Sequence, residues 1–417
     1  MGIKKEMMYY YLAREWSSDD DRLKKDLELM GMDLKPLTIN NIFTSFFSNH
    51  ENSSPLHMTQ LPLPRFWEVL STGDIVAEGN KKGKIYCYPQ WPQMVELVEW
   101  YDNKGVCCAK DHYDLSGTCF HREIWSGGKK EIDIYGQENQ EQLYLFSSHN
   151  RALFREANGR EQGLSSIGEA IKLILDKQLS TGDCLVLSDI SLLRDMPNLS
   201  SNQIMFYIRE ELSVEDISYL KERCGKLLTQ DLKFKTDNMN LPLIYLPTFL
   251  GAFREFRPHI LILTNTQELE QIEVLVSALP NFEFHIAALT AMGRRLLVLD
   301  CLANVHLYPG LSREIYEKLL QTCSIYLDIS HAQEILDGSR AALENGMILY
   351  SFKEMSHHPE FYATDHLFPK DGVAEMIDEL SQLGNPEKYQ SAYDKQKMNP
   401  CLATKEEMKL LFEMTDK

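Results

Sequence analysis

The stretch SIYLDISHAQEILDGSRAALENGMILYSF, residues 324–352, holds the side chains of this sequence that are best suited to chemistry. A histidine, several carboxylates and an arginine lie between two apolar runs that predict strands. Carboxylates beside the start of a helix can bind sugar and ribose hydroxyls, and the free amides of that helix start can bind a diphosphate. The residue types therefore indicate an end of a sheet at which a nucleotide-linked sugar could bind.

The spacing of the acids does not complete such a site. Retaining glycosyltransferases place two glutamates, with seven residues between them, before a small-residue helix and a glycine. Aligning AALENGMILY on that helix and on Gly346 puts the two positions at Gln333 and Ala341. Ala341 cannot bind a ribose, and losing a hydrogen bond to a charged partner costs roughly 1.5–3 kcal/mol. Taking Glu334 and Glu344 instead places the two acids ten positions apart, which puts the second acid on a different side of a helix.

The cations that would neutralise a leaving diphosphate are also missing. No lysine or arginine occurs from Pro258 to Gly293, so developing negative charge would be unopposed there. The nearest cations are Arg294 and Arg295. An active glycosyltransferase with an unusual set of catalytic groups stays open as an alternative, and its best candidates are His331, Glu334 and Arg340.

Composition restricts the class of protein. The chain has 417 residues, 44% of them hydrophobic, which predicts two or three folded domains. A formal net charge of -18 disfavours binding to nucleic acid. No run of about 18 apolar residues occurs, and the first residues do not resemble a signal peptide. We therefore expect a cytoplasmic protein with peripheral membrane contact at most.

Residues 258–352 alternate short apolar runs with amphipathic stretches, which predicts βα units and a parallel sheet. HILILTN, FHIAALT, NVHLYPG, IYLDIS and MILYSF are the predicted strands, and QELEQIEVLVSALP, SREIYEKLLQTC and QEILDGSRAALENG the predicted helices. Such sheets bind ligands beyond the carboxyl ends of their strands. The polar residues predicted there are Thr264, Asn265, Thr290, Ser330, His331 and Gln333.

A weaker α/β pattern covers about 150–255 and is completed by the first 60 residues. Within it, Ser213 and Asp216 have the spacing of a helix capping box. Between these parts, aromatic segments are followed by polar turns ending at Gly105, at Gly117 and at Gly127 or Gly128. This pattern predicts a meander of long hairpins. Its apolar face is covered either by a partner chain or by its own domain. The aromatic candidates for a partner interface are Trp100, Tyr101, Tyr113 and Trp125.

Two further residue types favour no special chemistry. The nine cysteines include no CxxC pair and predict a reduced protein. The histidines of SHHPEF, with His366 nearby, have no cysteine or paired-carboxylate motif beside them. We interpret this segment as a solvated loop and helix start, with no metal.

Four segments carry a resemblance to a known family: LPLPRFWEV, the glycine-turn meander, LILTNTQELEQIEVLVSALPNFEFHIAALTAMG and residues 324–352. They resemble the non-catalytic stabilising subunit of the accessory Sec system O-GlcNAc transferase. The resemblance implies an α/β fold of degenerate GT-B type, with two Rossmann-like domains and an inserted extended antiparallel β-sheet domain. The implied boundaries are 1–60 and 151–257 for the N-terminal Rossmann-like domain, 61–150 for the insertion and 258–417 for the C-terminal Rossmann-like domain with its C-terminal helices.

The same resemblance implies a function without catalysis or cofactor. The chain would pair, two plus two, with a catalytic glycosyltransferase subunit that transfers GlcNAc from UDP-GlcNAc to serine or threonine of serine-rich repeat adhesins before export. It would stabilise that partner through the meander aromatics, bring it to the cytoplasmic face of the membrane and bind the acceptor polypeptide at the six polar residues. A module that binds already glycosylated acceptor stays open as a further alternative.

Overall fold

A computed structural model of the chain describes residues 8–48, 54–180, 182–196, 199, 203–209, 212–238 and 240–415. The expectation about a signal peptide concerns residues 1–16, of which 1–7 lie outside these ranges. Two compact units make up the chain. The first contains most described residues up to 228, and the second contains 25–32, 229–239 and the residues from 244 onward. No helix in the described part of the chain is both long and apolar enough to cross a membrane.

The first described elements form part of a parallel sheet. They are β1 (Tyr9–Ala13), α1 (Ser18–Leu29), β2 (Leu34–Thr38) and α2 (Ile39–Phe47). Strands β1 and β2 pair in parallel. The hydroxyl of Thr38 accepts a bond from the amide of Asn41 and so caps the start of α2.

Ten antiparallel strands follow in sequence order, which is the predicted meander. They are β3 (Trp67–Val69), β4 (Asp74–Ala77), β5 (Asn80–Cys87), β6 (Val95–Tyr101), β7 (Cys107–Tyr113), β8 (Cys119–Ser126), β9 (Lys129–Tyr135), β10 (Gln142–Phe146), β11 (Arg151–Arg155) and β12 (Glu161–Leu164). The turn glycines Gly105, Gly117, Gly127 and Gly128 all have positive φ, as tight hairpins require. A further hairpin, with Gly159 at φ 84°, carries the sheet past residue 150.

The chain then returns to the first parallel sheet. The elements are α3 (Ile167–Gln178), β13 (Cys184–Leu187), α4 (Ile190–Asp195), β14 (Ile204–Ile208), α5 (Val214–Arg223), β15 (Lys226–Thr229), α6 (Leu232–Asp237) and β16 (Leu243–Tyr245). The strand order is β16-β15-β14-β13-β1-β2. The predicted capping box is present at α5, where Ser213 and Asp216 each accept a bond from the backbone amide of the other.

The second unit contains another parallel sheet. Its elements are β17 (Thr248–Phe249), β18 (His259–Leu263), α7 (Ile272–Ala278), β19 (Glu283–Ala288), α8 (Arg294–Leu297), β20 (Val305–Pro309), α9 (Arg313–Thr322), β21 (Ile325–Asp328), α10 (Gly338–Glu344), β22 (Ile348–Phe352), β23 (Leu367–Phe368), α11 (Val373–Gln382), α12 (Pro386–Lys397), β24 (Leu402–Ala403) and α13 (Lys405–Thr415). The order β20-β19-β18-β21-β22-β23 reverses direction between β18 and β21. A ligand of such a sheet would bind at the carboxyl ends of these two strands.

Two helices of this sheet begin later than their periodicity predicts. The first predicted helix starts at Gln267, but Leu269 pairs with Ser330 as an isolated bridge and α7 begins at Ile272. The second starts at Gln333, but Leu336 and Asp337 have φ of 56° and 49° and α10 begins only at Gly338. Tertiary backbone pairing and a left-handed turn have overridden local helix propensity.

We expect Gly346→Ala to destabilise the second unit strongly. Gly346 has φ +68°, and a Cβ there would lie 2.2 Å from the carbonyl oxygen of Ala252. The unfavourable conformation and the clash should cost at least about 2 kcal/mol. Gly384→Ala is the matched control, because an added Cβ there meets no heavy atom within 4 Å. Urea unfolding of both variants tests this, and equal stabilities would contradict it.

Candidate functional site

The carboxyl edge of β18 and β21 brings together only part of the predicted polar set. Thr264 and Ser330 lie on neighbouring strand ends, where their hydroxyl oxygens are 3.0 Å apart. Both are almost fully buried, with 1% and 4% of their surface exposed. They therefore join the two strand ends rather than line a surface. The predicted residues that remain exposed are Asn265, Thr290, His331 and Gln333.

His331 belongs to a small charged cluster at this edge. Its Nε2 lies 2.9 Å from Oε2 of Glu270, and Nζ of Lys370 lies 3.0 Å from the same oxygen. Burial raises the pKa of Glu270, but Lys370 and His331 outweigh burial and hold that pKa below its usual value. His331 therefore has a carboxylate partner within the unit.

Glu334 caps α10 and does not lie on it. Its Oε1 accepts bonds from the amide and the hydroxyl of Ser339, both at 2.6 Å. The comparison of Glu334 and Glu344 as two positions on one helix is therefore wrong, because residues 333–337 precede the helix. Gln333 and Ala341 likewise do not share a helix, so the distance between them depends on the turn at Leu336 and Asp337.

Arg340 is held in a buried ion pair within the second unit. Its Nη1 lies 3.1 Å from Oδ2 of Asp26, and only 8% of the Arg340 side chain and 1% of the Asp26 side chain are exposed. Nη2 also faces the side chains of Gln230 and Thr248 at 3.4 and 3.5 Å. By contrast, Arg295 is 68% exposed and pairs with exposed Glu268 at 3.3 Å. Arg340 is thus held by partners in the core of the second unit, whereas Arg295 is exposed to solvent.

The segment around SHHPEF differs from the solvated loop that the sequence predicts. The ring of His357 places Nδ1 2.7 Å from Oδ1 of Asp328 and Nε2 2.6 Å from the carbonyl of Ala332. Both neighbours are acceptors, so both ring nitrogens carry protons, and Asp328 is the main reason that the pKa of His357 rises to about 9. His366 is fully buried and neither ring nitrogen has a hydrogen-bond partner, so burial lowers its pKa to about 3.

His358 is a second histidine between carboxylates. Its Nε2 lies 3.3 Å from Oε2 of Glu334, and its Nδ1 lies 3.1 Å from Oε1 of Glu360. The interactions with Glu334 and then Glu360 raise the pKa of His358 to about 10. One carboxylate oxygen of Asp337 lies within 4.8 Å of donor atoms of both His358 and Glu334. The tertiary structure thus places the carboxylates of Glu334 and Asp337 beside His358, although the segment SHHPEF has no paired-carboxylate motif of its own.

The two faces of the meander differ in how they are covered. On one face, Asp133, Tyr135, Leu143 and Leu145 are buried, and the ring of Phe43 in α2 lies 5.2 Å from that of Tyr135. Helix α3 covers β11 on the same side. Cross-strand partners share a face, and on the other face they form a half-buried apolar patch, here called the open face: Ile124, Ile132, Ile134, Tyr144, Phe146 and Leu153.

The four predicted meander aromatics do not share one face. Trp100 packs on a local core that includes Tyr113, which is only 8% exposed. Because successive residues of a strand point to opposite faces, Tyr101 faces away from Trp100 and Trp125 away from Ile124. Tyr101 and Trp125 bond to Glu99 and Glu123. The residues that sequence reasoning missed are the open-face isoleucines, whose signal is the alternation in KEIDIY, and Phe66, which is 90% exposed at φ 70°.

Comparisons with known proteins agree with this architecture. Residues 260–396 match the family model described as the GftB/GlyA-F C-terminal domain, and residues 67–162 match that of the GtfB middle domain. A Streptococcus pneumoniae serotype 4 protein named as the UDP-N-acetylglucosamine–peptide N-acetylglucosaminyltransferase stabilizing protein GtfB is 25% identical over 390 residues, 84% of this chain and 85% of that protein. Its namesake from Limosilactobacillus reuteri subsp. suis is 28% identical over 350 residues, 78% of each chain.

The fold also matches a solved structure. A chain in the crystal structure of the GtfA/B complex bound to UDP and GlcNAc aligns with a TM-score of 0.59 and 21% identity, covering 98% of this chain and 99% of that one. The predicted GT-B type of α/β fold, with two parallel sheets and an antiparallel insertion, is confirmed. The chain thus resembles the GtfB transferase-stabilising proteins over most of its length and matches the models of two of their domains, as its sequence motifs predict.

We expect Arg340→Met to unfold the second unit readily, because it leaves Asp26 as an unpaired buried charge. Breaking a buried pair in this way costs about 3–5 kcal/mol. Arg295→Met is the matched control, since exposed pairs contribute roughly 0–1 kcal/mol. Denaturant unfolding measures both effects. A stable Arg340→Met protein with weakened UDP binding would instead make Arg340 a ligand of a donor nucleotide.

Proposed function

We propose that this chain is the non-catalytic, stabilising and acceptor-binding subunit of a protein O-GlcNAc transferase. Its catalytic partner would transfer GlcNAc from UDP-GlcNAc to serine or threonine of serine-rich repeat polypeptides. One observation carries the proposal. At the carboxyl edge of the second parallel sheet, where a nucleotide sugar would bind, charged groups are already bonded to other groups of the same unit. Arg340 pairs with buried Asp26, and Glu334 caps α10 through Ser339. The curated relatives are named as stabilising proteins of such a transferase, which supports this role.

The charge pattern gives further support. A departing diphosphate needs cations or aligned donors close to it, but residues 258–293 contain no lysine or arginine. Ala341 offers no polar group to a ribose. An active transferase built on His331, Glu334 and Arg340 is disfavoured, because each of the three already has a partner within the second unit.

The open face of the meander is the surface that we propose for the catalytic partner. It is an apolar patch on four consecutive strands, β8 to β11, while the opposite face is closed by helices of the same unit. Burying such a patch would stabilise both proteins through the hydrophobic effect. The solved GtfA/B complexes are of two different chains, which supports a heteromeric assembly. We propose the two-plus-two stoichiometry on the family resemblance.

The acceptor would bind at the carboxyl edge of the second parallel sheet. The exposed polar residues there are Asn265, Thr290, His331 and Gln333, which can bond the backbone and hydroxyls of an extended serine-rich segment. Thr264 and Ser330 would support the edge from beneath, since their hydroxyls bond to each other. We propose that this happens in the cytoplasm, partly at the membrane surface, before export by the accessory Sec system.

A sugar-transfer assay tests the proposed function. The purified chain, alone and mixed with its catalytic partner, is incubated with UDP-GlcNAc and a serine-rich repeat peptide. We expect no transfer by the chain alone and strong transfer by the mixture, because only the partner would hold the donor. Transfer by the chain alone, abolished by Glu334→Gln, would overturn the proposal.

The open-face assignment predicts that Ile134→Glu combined with Leu153→Glu weakens partner binding by about 1,000-fold. Each substitution puts a charge into an apolar contact, and central contacts of this kind contribute about 2 kcal/mol each. The half-exposed positions should leave the fold of the free chain intact, as circular dichroism can verify. Lys104→Glu, in an exposed turn of the same sheet, is the control. Unchanged affinity of the double variant, measured by calorimetry, would place the interface elsewhere.

A further inference from the structure

Glu334, Asp337 and His358 gather three donor groups at one point of the second unit. One ligand atom from each lies within 4.8 Å of the others. Nε2 of His358 and Oε2 of Glu334 are 3.3 Å apart. That distance is long for an N–H···O bond, whose mode is about 2.9–3.0 Å. It matches the roughly 3.3 Å between two ligands of one tetrahedral ion at metal distances of about 2.0–2.1 Å.

Groups behind the donor atoms orient them towards the same point. Nδ1 of His358 faces Oε1 of Glu360 at 3.1 Å, which leaves Nε2 as the nitrogen directed at Glu334. Oε1 of Glu334 is occupied by two bonds from Ser339, which leaves Oε2 available. A carboxylate behind a ligand histidine, and hydrogen bonds to a ligand carboxylate, are the usual outer partners of metal ligands in proteins.

The charges favour a cation at this point. The carboxylates of Glu334, Asp337 and Glu360 surround one imidazole, and the guanidinium of Arg340 is shared between Asp337 at 3.6 Å and Asp26 at 3.1 Å, so carboxylates outnumber cations here. The side chains of Asp337 and His358 are 26% and 38% exposed, so an ion can reach them from solvent. Carboxylate and imidazole donors together suit divalent ions such as Mn²⁺ and Zn²⁺.

We propose that Glu334, Asp337 and His358 bind a divalent first-row transition-metal ion. The ion replaces the proton on Nε2 of His358 and joins the turn before α10 to the segment 358–360. It acts as a structural link between these two segments and takes no part in sugar transfer. The proposal does not depend on the function proposed above, because its evidence is the donor geometry alone.

Binding of Mn²⁺ to the full-length chain tests this site. Mn²⁺ is the probe because the nine cysteines would compete for zinc. Electron paramagnetic resonance of free Mn²⁺ should show one ion bound per chain, with affinity rising from pH 6 to pH 8 as the proton is displaced. Mn²⁺ should also raise the melting temperature, since it binds only the folded chain.

Variants separate the proposed site from adventitious binding. Asp337→Asn and His358→Gln should abolish the bound ion, and Glu360→Gln should weaken it about 10-fold as a positioning residue. The matched control is His306→Ala, because His306 pairs with the single carboxylate of Glu283 at 2.7 Å. Folding of each variant is verified by circular dichroism. Absence of Mn²⁺ binding by the wild-type chain, or binding that Asp337→Asn and His358→Gln leave unchanged, would overturn the proposal.

Discussion

The carboxylate of Asp328 is buried at the end of β21, with 2% of the residue exposed. A buried carboxylate without partners would be strongly destabilising. Asp328 accepts bonds from the amide of His357 at 2.9 Å, from its ring Nδ1 at 2.7 Å and from the hydroxyl of Tyr362 at 3.1 Å. These bonds hold the segment 357–362 against the strand end, and the position of His358 beside Glu334 depends on them.

The same requirement for internal partners explains why a glycosyltransferase fold can persist without donor chemistry. At the edge where a nucleotide sugar would bind, His357 uses both ring nitrogens, Arg340 neutralises Asp26, and Glu334 satisfies the start of α10. Each of these contacts lies within the folded unit, so the groups that make them are not free to bind a nucleotide sugar. The sheet has the strand order of a ligand-binding fold, and these charged groups at its edge make structural contacts.

The two faces of the meander have different packing environments. Strand alternation and cross-strand pairing decide which side chains face α2 and α3 and which lie on the open face. A sheet with an apolar patch on each face needs a packing partner on both faces. Helices of the first unit cover one face, and the open face has no helix of this unit assigned to it among the described contacts. The role that we propose for this chain therefore rests on a surface rather than on reactive groups.

Much of the fold follows from local sequence. Apolar runs and amphipathic periods locate the strands of the second sheet, Ser213 and Asp216 form the predicted cap, and Gly105 adopts the predicted turn, because each depends on neighbours within a few residues. Ala341 likewise excludes a ribose contact by its residue type alone. Only the tertiary structure decides that Asp26 meets Arg340 and that Glu334 meets His358, since topology and burial set distances between residues far apart in sequence.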